Sequence, residues 1–180
     1  MLHAARGNFD ITVLVHDNRV YGLTTGQASP TAQKGFPSKS TPRGIIESPL
    51  NPLALAITAG ASFVAQSFAG DLPHLADLLV EAIRHKGFSL VNVLQPCVTF
   101  NRVNTYEWYR NRVYKLKKEE RKSDKLEALK LAIEQKRLPL GILYQKISKT
   151  YEESLPQLAA EPLVKKSLSV DWKKLLSEFA

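Results

Sequence analysis

The stretch SFVAQSFAGDLPHLADLLVEAIRHKGFSLVNVL, residues 62–94, decides the fold class. It opens on a short apolar run, Ser62–Ala69, that predicts a strand. Asp71 then supplies an N-cap, and Leu75, Leu78, Leu79, Ala82 and Ile83 recur on one face of a helix that closes at Lys86-Gly87. Leu90-Val91-Asn92-Val93-Leu94 is a second strand, broken by Pro96. Strand, helix and strand in this order indicate a βαβ crossover and a mostly parallel sheet.

The pattern extends in both directions. Upstream, Ile11–Val15 is a β-branched apolar run ended by the turn formers Asp17-Asn18. Asn51-Pro52 gives a cap and first-turn proline to a helix with Leu53, Ala56 and Ile57 on one face, stopped by Gly60. Downstream, Tyr106–Gln135 is rich in Lys, Glu and Leu and predicts a helix, interrupted near Lys122-Ser123-Asp124. Leu138–Tyr144 predicts a strand or an extended cover. From Ser148 the chain is mixed, with Pro156 and Pro162, and closes on an amphipathic helix with Val170, Trp172, Leu175, Leu176 and Phe179. The expected class is α/β: a mostly parallel sheet with flanking helices over residues 1–100, then a helix-rich basic C-terminal extension over 101–180.

Composition narrows the function classes. The chain has 180 residues and 44% hydrophobic content, enough to fill one core and too much for a wholly disordered chain. No apolar run approaches the roughly 18–20 residues that cross a bilayer, so no membrane association is expected. Met1–Arg6 has no signal-type apolar region, and a single Cys builds no internal disulfide, so a cytoplasmic location is expected. The net charge of +8 is uneven: residues 1–100 carry 7 basic and 6 acidic side chains, residues 101–180 carry 18 and 11. The positive field therefore comes from the second half.

Candidate chemistry begins where the first strand ends. Asp17-Asn18-Arg19-Val20-Tyr21-Gly22-Leu23-Thr24-Thr25-Gly26-Gln27 exposes an amide, carbonyls and hydroxyls, hard oxygen ligands of the kind that suit Mg²⁺. Gly22 and Gly26 let backbone amides approach an anion closely. The same composition also describes a polar turn with no ligand. The long connection Tyr21–Pro49 leaves the carboxyl end of its strand, where ligands sit in open α/β sheets.

The run Asp17-Asn18-x-Val20-Tyr21-Gly22-Leu23-Thr24-Thr25-Gly26-Gln27-x-Ser29-Pro30-Thr31 resembles the second half of the thiamine diphosphate motif of 2-oxoacid:ferredoxin oxidoreductase β subunits. Gln95-Pro96-Cys97-Val98-Thr99-Phe100-Asn101 and Tyr106-x-Trp108-Tyr109 resemble the same family, in family order, over roughly residues 3–150. The resemblance implies that the Asn18 side chain and the Val20 carbonyl bind Mg²⁺, that Gly22 and Leu23 contact thiamine diphosphate, and that Tyr21 and Thr24 lie beside it. It implies that Cys97 is one ligand of a 4Fe-4S cluster, provided the missing ligands are supplied. It implies coenzyme A-acylating oxidative decarboxylation of a 2-oxo acid such as 2-oxoglutarate or pyruvate, electrons passing to ferredoxin, in a site that an α subunit helps to complete.

Two departures stand beside the resemblance. A cluster of this kind needs four Cys and the chain has one. The family's Gly-Asp-Gly-Asp segment, whose Asp completes the Mg²⁺ site, has no counterpart. The chain therefore reads as the C-terminal part of a β subunit, inactive alone, in which no residue is singled out as acid, base or nucleophile. Cys97 taken alone reads as an inert thiol. His3, His16, His74 and His85 show no metal spacing, and Lys34, Lys39 and Arg43 read as solvated loop charges or as partners of a substrate carboxylate or the phosphates of coenzyme A.

The basic stretch Arg110–Lys130, with Trp108, Tyr109 and Tyr114, leaves three readings open. It is a solvated amphipathic face, a surface that steers an acidic ferredoxin, or a nucleic-acid surface, the last disfavoured by the many acidic neighbours. The alternative functions are an inactive fragment or a stand-alone basic module binding nucleic acid or an acidic protein.

Overall fold

The computed structural model describes residues 1–134, 136–158, 163–165, 167 and 169–179. In chain order the elements are α1 (Leu2–Gly7), β1 (Thr12–Asp17), β2 (Val20–Tyr21), β3 (Gln27–Ala28), α2 (Pro52–Ala59), β4 (Phe63–Phe68), α3 (Leu72–Arg84) and β5 (Ser89–Leu94). They continue with α4 (Tyr106–Arg110), β6 (Val113–Lys115), α5 (Lys125–Ala132), β7 (Leu138–Gln145) and α6 (Trp172–Ser177). The main sheet has the order β1-β5-β4-β7-β6, and β2-β3 form a separate small ribbon.

β1, β5 and β4 are parallel in register, as the alternation of strand and helix predicts. β4 and β5 are buried along their whole length, which is why both read as nearly continuous apolar runs. Alternate residues serve opposite faces. Val64 and Leu90 pack with Leu53, Ala56 and Ile57 of α2 on one side; Phe63, Ala65, Val91 and Val93 meet Leu78 and Ala82 of α3 on the other. Each fully buried Leu, Ile or Phe contributes about 1.5–3 kcal/mol from removal of apolar surface from water.

The caps work as the sequence indicates. Asn51 Oδ1 accepts the Ala54 N–H at 3.1 Å, and Asp71 accepts that of His74 at 3.3 Å. Gly60 ends α2 at φ 108°, a backbone state that only glycine adopts cheaply. One detail of α3 differs: Ile83, expected on the apolar face, is 70% exposed, because the sheet receives the helix along Leu75, Leu78, Leu79 and Ala82.

The expected helix over Tyr106–Gln135 is corrected. Only α4 and α5 are helical, and between them lie β6, a 3₁₀ turn at Lys118–Glu120 and a bridge from Lys122 to Tyr144. β6 pairs in parallel with β7, while the Lys122 N–H donates to the Leu143 carbonyl at 3.1 Å. Hydrogen bonding to a buried strand outweighs the helix propensity of a Lys/Glu-rich segment, since propensity amounts to only tenths of a kcal/mol per residue. β7 runs antiparallel to β4, so the sheet continues past residue 100. Asp124 restarts the helix by accepting from Leu126 and Glu127. Gln135 and Pro162 lie outside the described residues.

The aromatic residues of the basic stretch face inward or stack on cations. Tyr109 is fully buried against Phe68 and Leu94, Arg112 lies 4.3 Å from the Trp108 ring centre, and Arg137 lies 4.4 Å from that of Tyr114. Among the described residues no helix is long and apolar enough to cross a membrane.

One side chain ties the two ends of the fold. Asn8, held at φ 51°, accepts from the Phe88 N–H (2.9 Å) and the Ser62 hydroxyl (2.6 Å), and its Nδ2 donates to the Lys149 carbonyl (3.0 Å). Beside it Phe9 and Tyr151 stack at 4.3 Å.

Candidate functional site

β1 ends at Asp17, whose buried carboxylate accepts the Thr31 hydroxyl and so draws the start of the long loop against the sheet. The chain then turns sharply. Asn18 Oδ1 accepts the Val20 N–H at 3.1 Å, an Asx turn across Arg19, which sits at φ 62°. Arg19 keeps this conformation with its guanidinium 5.2 Å from the Trp108 ring centre and 5.7 Å from that of Tyr109. Burial pushes the Tyr109 phenol up to about 12, against the opposing pull of Arg19.

Val20 pairs with Ala28 in the β2-β3 ribbon. The Ser29 N–H donates to the Arg19 carbonyl at 3.3 Å, and Tyr21 pairs with Gln27, so Val20 lies between bonded pairs. In an antiparallel ladder such a residue directs its own N–H and C=O away from the partner strand. Its N–H takes Asn18 Oδ1, so the Val20 carbonyl and the Asn18 amide oxygen lie along the same free edge. That edge belongs to an open cleft of about 510 Å³ lined by His16, Asn18, Val20, Tyr21, Gly22 and Thr24, among others.

The ribbon turn is tight. The Thr25 N–H donates to Gly22 O (3.1 Å) and the Gly26 N–H to Tyr21 O (2.9 Å), with Thr25 at φ 72° and Gly26 at φ 105°. A β-branched residue in the left-handed region is strained, and such strain persists only where surrounding structure enforces it. The Thr24 hydroxyl donates to Gln27 Oε1. The two glycines differ. A Cβ on Gly26 would come within 3.2 Å of Phe100, so packing and φ both demand glycine there. A Cβ on Gly22 would meet nothing within 4 Å, and its φ is ordinary. Nothing among the described residues requires a glycine at 22. Leu23 is 98% exposed.

The second motif supports the first from below. Asn101 Nδ2 donates to the Asn18 carbonyl (3.2 Å), and its Oδ1 accepts from Val103 and Asn104. Phe100 and Cys97 pack with Val20, Ala32 and Phe36 under the ribbon. This explains physically why the two motifs occur together. Asp17, Arg19, Phe100 and Asn101 are the residues that sequence reasoning gives no role; their presence inside the quoted motifs is the available signal.

The donor set fits part of an Mg²⁺ site: two neutral hard oxygens on one open edge, where a hexacoordinate ion would complete its shell with phosphate oxygens and water. The open space at Gly22 fits a close approach of a bulky anion. A 4Fe-4S site does not fit this chain alone. Cys97 is free and half-buried, and among the described residues no group of three or more His, Cys, Asp or Glu could hold a metal.

Family models and known proteins match along most of the chain. Residues 1–93 match the family described as "Thiamine pyrophosphate enzyme, C-terminal TPP binding domain", and residues 97–160 match the family described as the C terminal of the pyruvate ferredoxin oxidoreductase beta subunit. The β subunit of 2-oxoacid:ferredoxin oxidoreductase from a Sulfolobus species is 47% identical over 168 residues, covering 84% of this chain and 54% of that protein. Its counterpart in enzyme 1 from Aeropyrum pernix is 44% identical over 165 residues, covering 84% and 52%. The chain thus spans about half the length of the curated relatives it matches. A solved 2-oxoglutarate:ferredoxin oxidoreductase from Magnetococcus marinus, with 2-oxoglutarate, coenzyme A and succinyl-CoA bound, superposes with a TM-score of 0.87 at 34% identity, covering 99% of this chain and 61% of that one. The chain belongs to the thiamine pyrophosphate enzymes and, among them, to the 2-oxoacid:ferredoxin oxidoreductase β-subunit family.

Proposed function

We propose that this chain supplies half of a Mg²⁺–thiamine diphosphate site in the β subunit of a 2-oxoacid:ferredoxin oxidoreductase. The observation that carries the reading is the shared free edge of the Asn18 amide oxygen and the Val20 carbonyl, facing an open cleft. In this role the two oxygens hold the metal from one side. The backbone at Gly22 and Leu23 approaches the diphosphate, and Tyr21 and Thr24 flank it. Arg19 and Asn101 act as positioning residues, since each fixes the turn without lining the cleft, while Asp17, which does line it, holds the turn through Thr31.

The bound cofactor supplies the chemistry of decarboxylation; this chain's part is binding and orientation. The partners of the reading are an α subunit that completes the site, ferredoxin as electron acceptor, and a 2-oxo acid with coenzyme A as substrates. Its location is cytoplasmic. Cys97 enters a 4Fe-4S cluster only where the other three thiolates come from elsewhere.

The test is calorimetric titration of Mg²⁺ and thiamine diphosphate into the β subunit assembled with its α partner. Asn18→Ala is expected to weaken binding at least tenfold. Unchanged affinity would overturn the assignment.

A further inference from the structure

Arg19 stands between the two residues that form the candidate metal edge, and its side chain is an odd choice for that place. The backbone lies at φ 62°, in the left-handed region that Gly or Asn enters cheaply and a long side chain does not. The side chain does not serve the cleft either: Asn18, Val20 and Tyr21 line it, and Arg19 does not. What the arginine contributes must therefore lie on the far side of the turn, where its guanidinium points.

There it meets a corner of two rings. Trp108 and Tyr109, neighbours on α4, stand edge to face, 4.9 Å apart with their planes at 84°. The guanidinium lies 5.2 Å from the first ring centre and 5.7 Å from the second, close enough for the π faces to hold a cation. The Arg19 side chain also lies against the buried Tyr109 hydroxyl. The corner is anchored to the sheet. Tyr109 packs on Phe68 and Leu94, the last residues of β4 and β5. Arg112 braces Trp108, with its guanidinium 4.3 Å from the ring centre and its Nη1 donating to the Trp108 carbonyl at 3.1 Å. Thr105 caps α4 by accepting the Trp108 N–H at 3.2 Å. A chain of contacts thus runs from the strand ends through Tyr109 to Arg19, and from there to the peptide groups on either side of it.

We infer that Trp108 and Tyr109 are positioning residues of the metal site: by holding Arg19 in its left-handed conformation, they keep the Asn18 amide oxygen and the Val20 carbonyl on one edge. The inference rests on the Mg²⁺ reading of that edge. An arginine released from the corner relaxes to negative φ, as a side chain with a Cβ prefers. The peptide between Arg19 and Val20 then rotates, and its N–H leaves Asn18 Oδ1. The two oxygens no longer face one ion, although neither has been altered chemically.

The test is calorimetric titration of Mg²⁺, at saturating thiamine diphosphate, into the β subunit assembled with its α partner. Arg19→Met keeps the strained backbone and removes the cation; Trp108→Leu removes the ring. Each is expected to weaken Mg²⁺ at least tenfold, with turnover recovering at saturating Mg²⁺. Arg19→Gly, which adopts positive φ unaided, should stay within about threefold of the parent, and Trp108→Phe, which keeps a π face, likewise. In the Arg19→Gly background, Trp108→Leu should cost nothing further, the non-additivity expected of two residues acting as one device. Unchanged affinity in Arg19→Met, a loss in Arg19→Gly as large as in Arg19→Met, or additive losses in the double variant would overturn the inference. Asn18→Ala runs alongside: if it weakens Mg²⁺ and Arg19→Met does not, only the positioning role fails, and if Asn18→Ala leaves the affinity unchanged, the metal reading and this inference fall together.

Discussion

The paired strands β4 and β5 and the ribbon turn between Asn18 and Gly26 are built on opposite terms. In the strands nearly every residue is accounted for by what it touches within the chain: Phe63 and Val91 are completely buried among apolar neighbours. In the turn, Gly22 borders empty space, Leu23 stands in solvent and Thr25 holds a left-handed backbone. Those choices have no cause in the packing described. The difference teaches where to look for a ligand: residues that the chain's own packing does not explain are the ones shaped by something outside it.

Substitutions sharpen this contrast, beginning with the largest effect on stability. Phe63→Ala should lower the unfolding free energy by about 3–5 kcal/mol, read from the urea midpoint, because β4 is clamped on both faces and cannot collapse around the hole. A change below about 1 kcal/mol would mean that the strands are less tightly packed than the geometry indicates. Thr25→Gly should raise stability by about 1 kcal/mol by releasing the left-handed strain. Thermofluor or calorimetric melting would reveal it, and a loss of stability would show that the Thr25 side chain contributes by packing.

The third effect is pH-dependent and belongs to the strand region. Burial lowers the affinity of His74 and His85 for protons; the His74 ring meets Ser67 in β4, and the His85 ring meets Ser62 just before it. With the folded pKa below the unfolded 6.5, the unfolded chain binds more protons in the window beneath 6.5. Melting temperature should therefore fall as the solution is acidified through that window. His74→Gln with His85→Gln should flatten that slope, and an unchanged slope would assign it to other groups. The smallest effect is Gly22→Ala, within about 0.5 kcal/mol in stability. The same variant should bind thiamine diphosphate at least tenfold more weakly in the assembled enzyme, and full affinity would return Gly22 to the status of an ordinary turn residue.

Most of the fold is legible in the sequence because local signals agree with the long-range pairing. Asn51 and Asp71 cap the helices that follow them, and the continuous apolar runs are the doubly covered strands. β6 is not legible. Its three residues, Val113–Lys115, sit in a Lys/Glu-rich stretch whose local preference is helical, and only β7, more than twenty positions later, supplies the hydrogen bonds that make it a strand. The candidate metal-binding turn is legible through its motif, with Asn18 and Val20 on one edge. The support beneath it is not, since the bond from Asn101 to Asn18 joins positions 83 residues apart. Gln66 and Asn92 read as interruptions in apolar strands until their shared register places them side by side, joined by a hydrogen bond.

The amide of Asn8 gives the molecule a keystone. By grasping the entrance of β5 with one end and the segment after β7 with the other, it makes the opening and closing lengths of the described body a single mechanical closure. Fraying at one terminus then loosens the other, and exchange of the Phe88 amide proton should quicken when the chain is trimmed after Ile147.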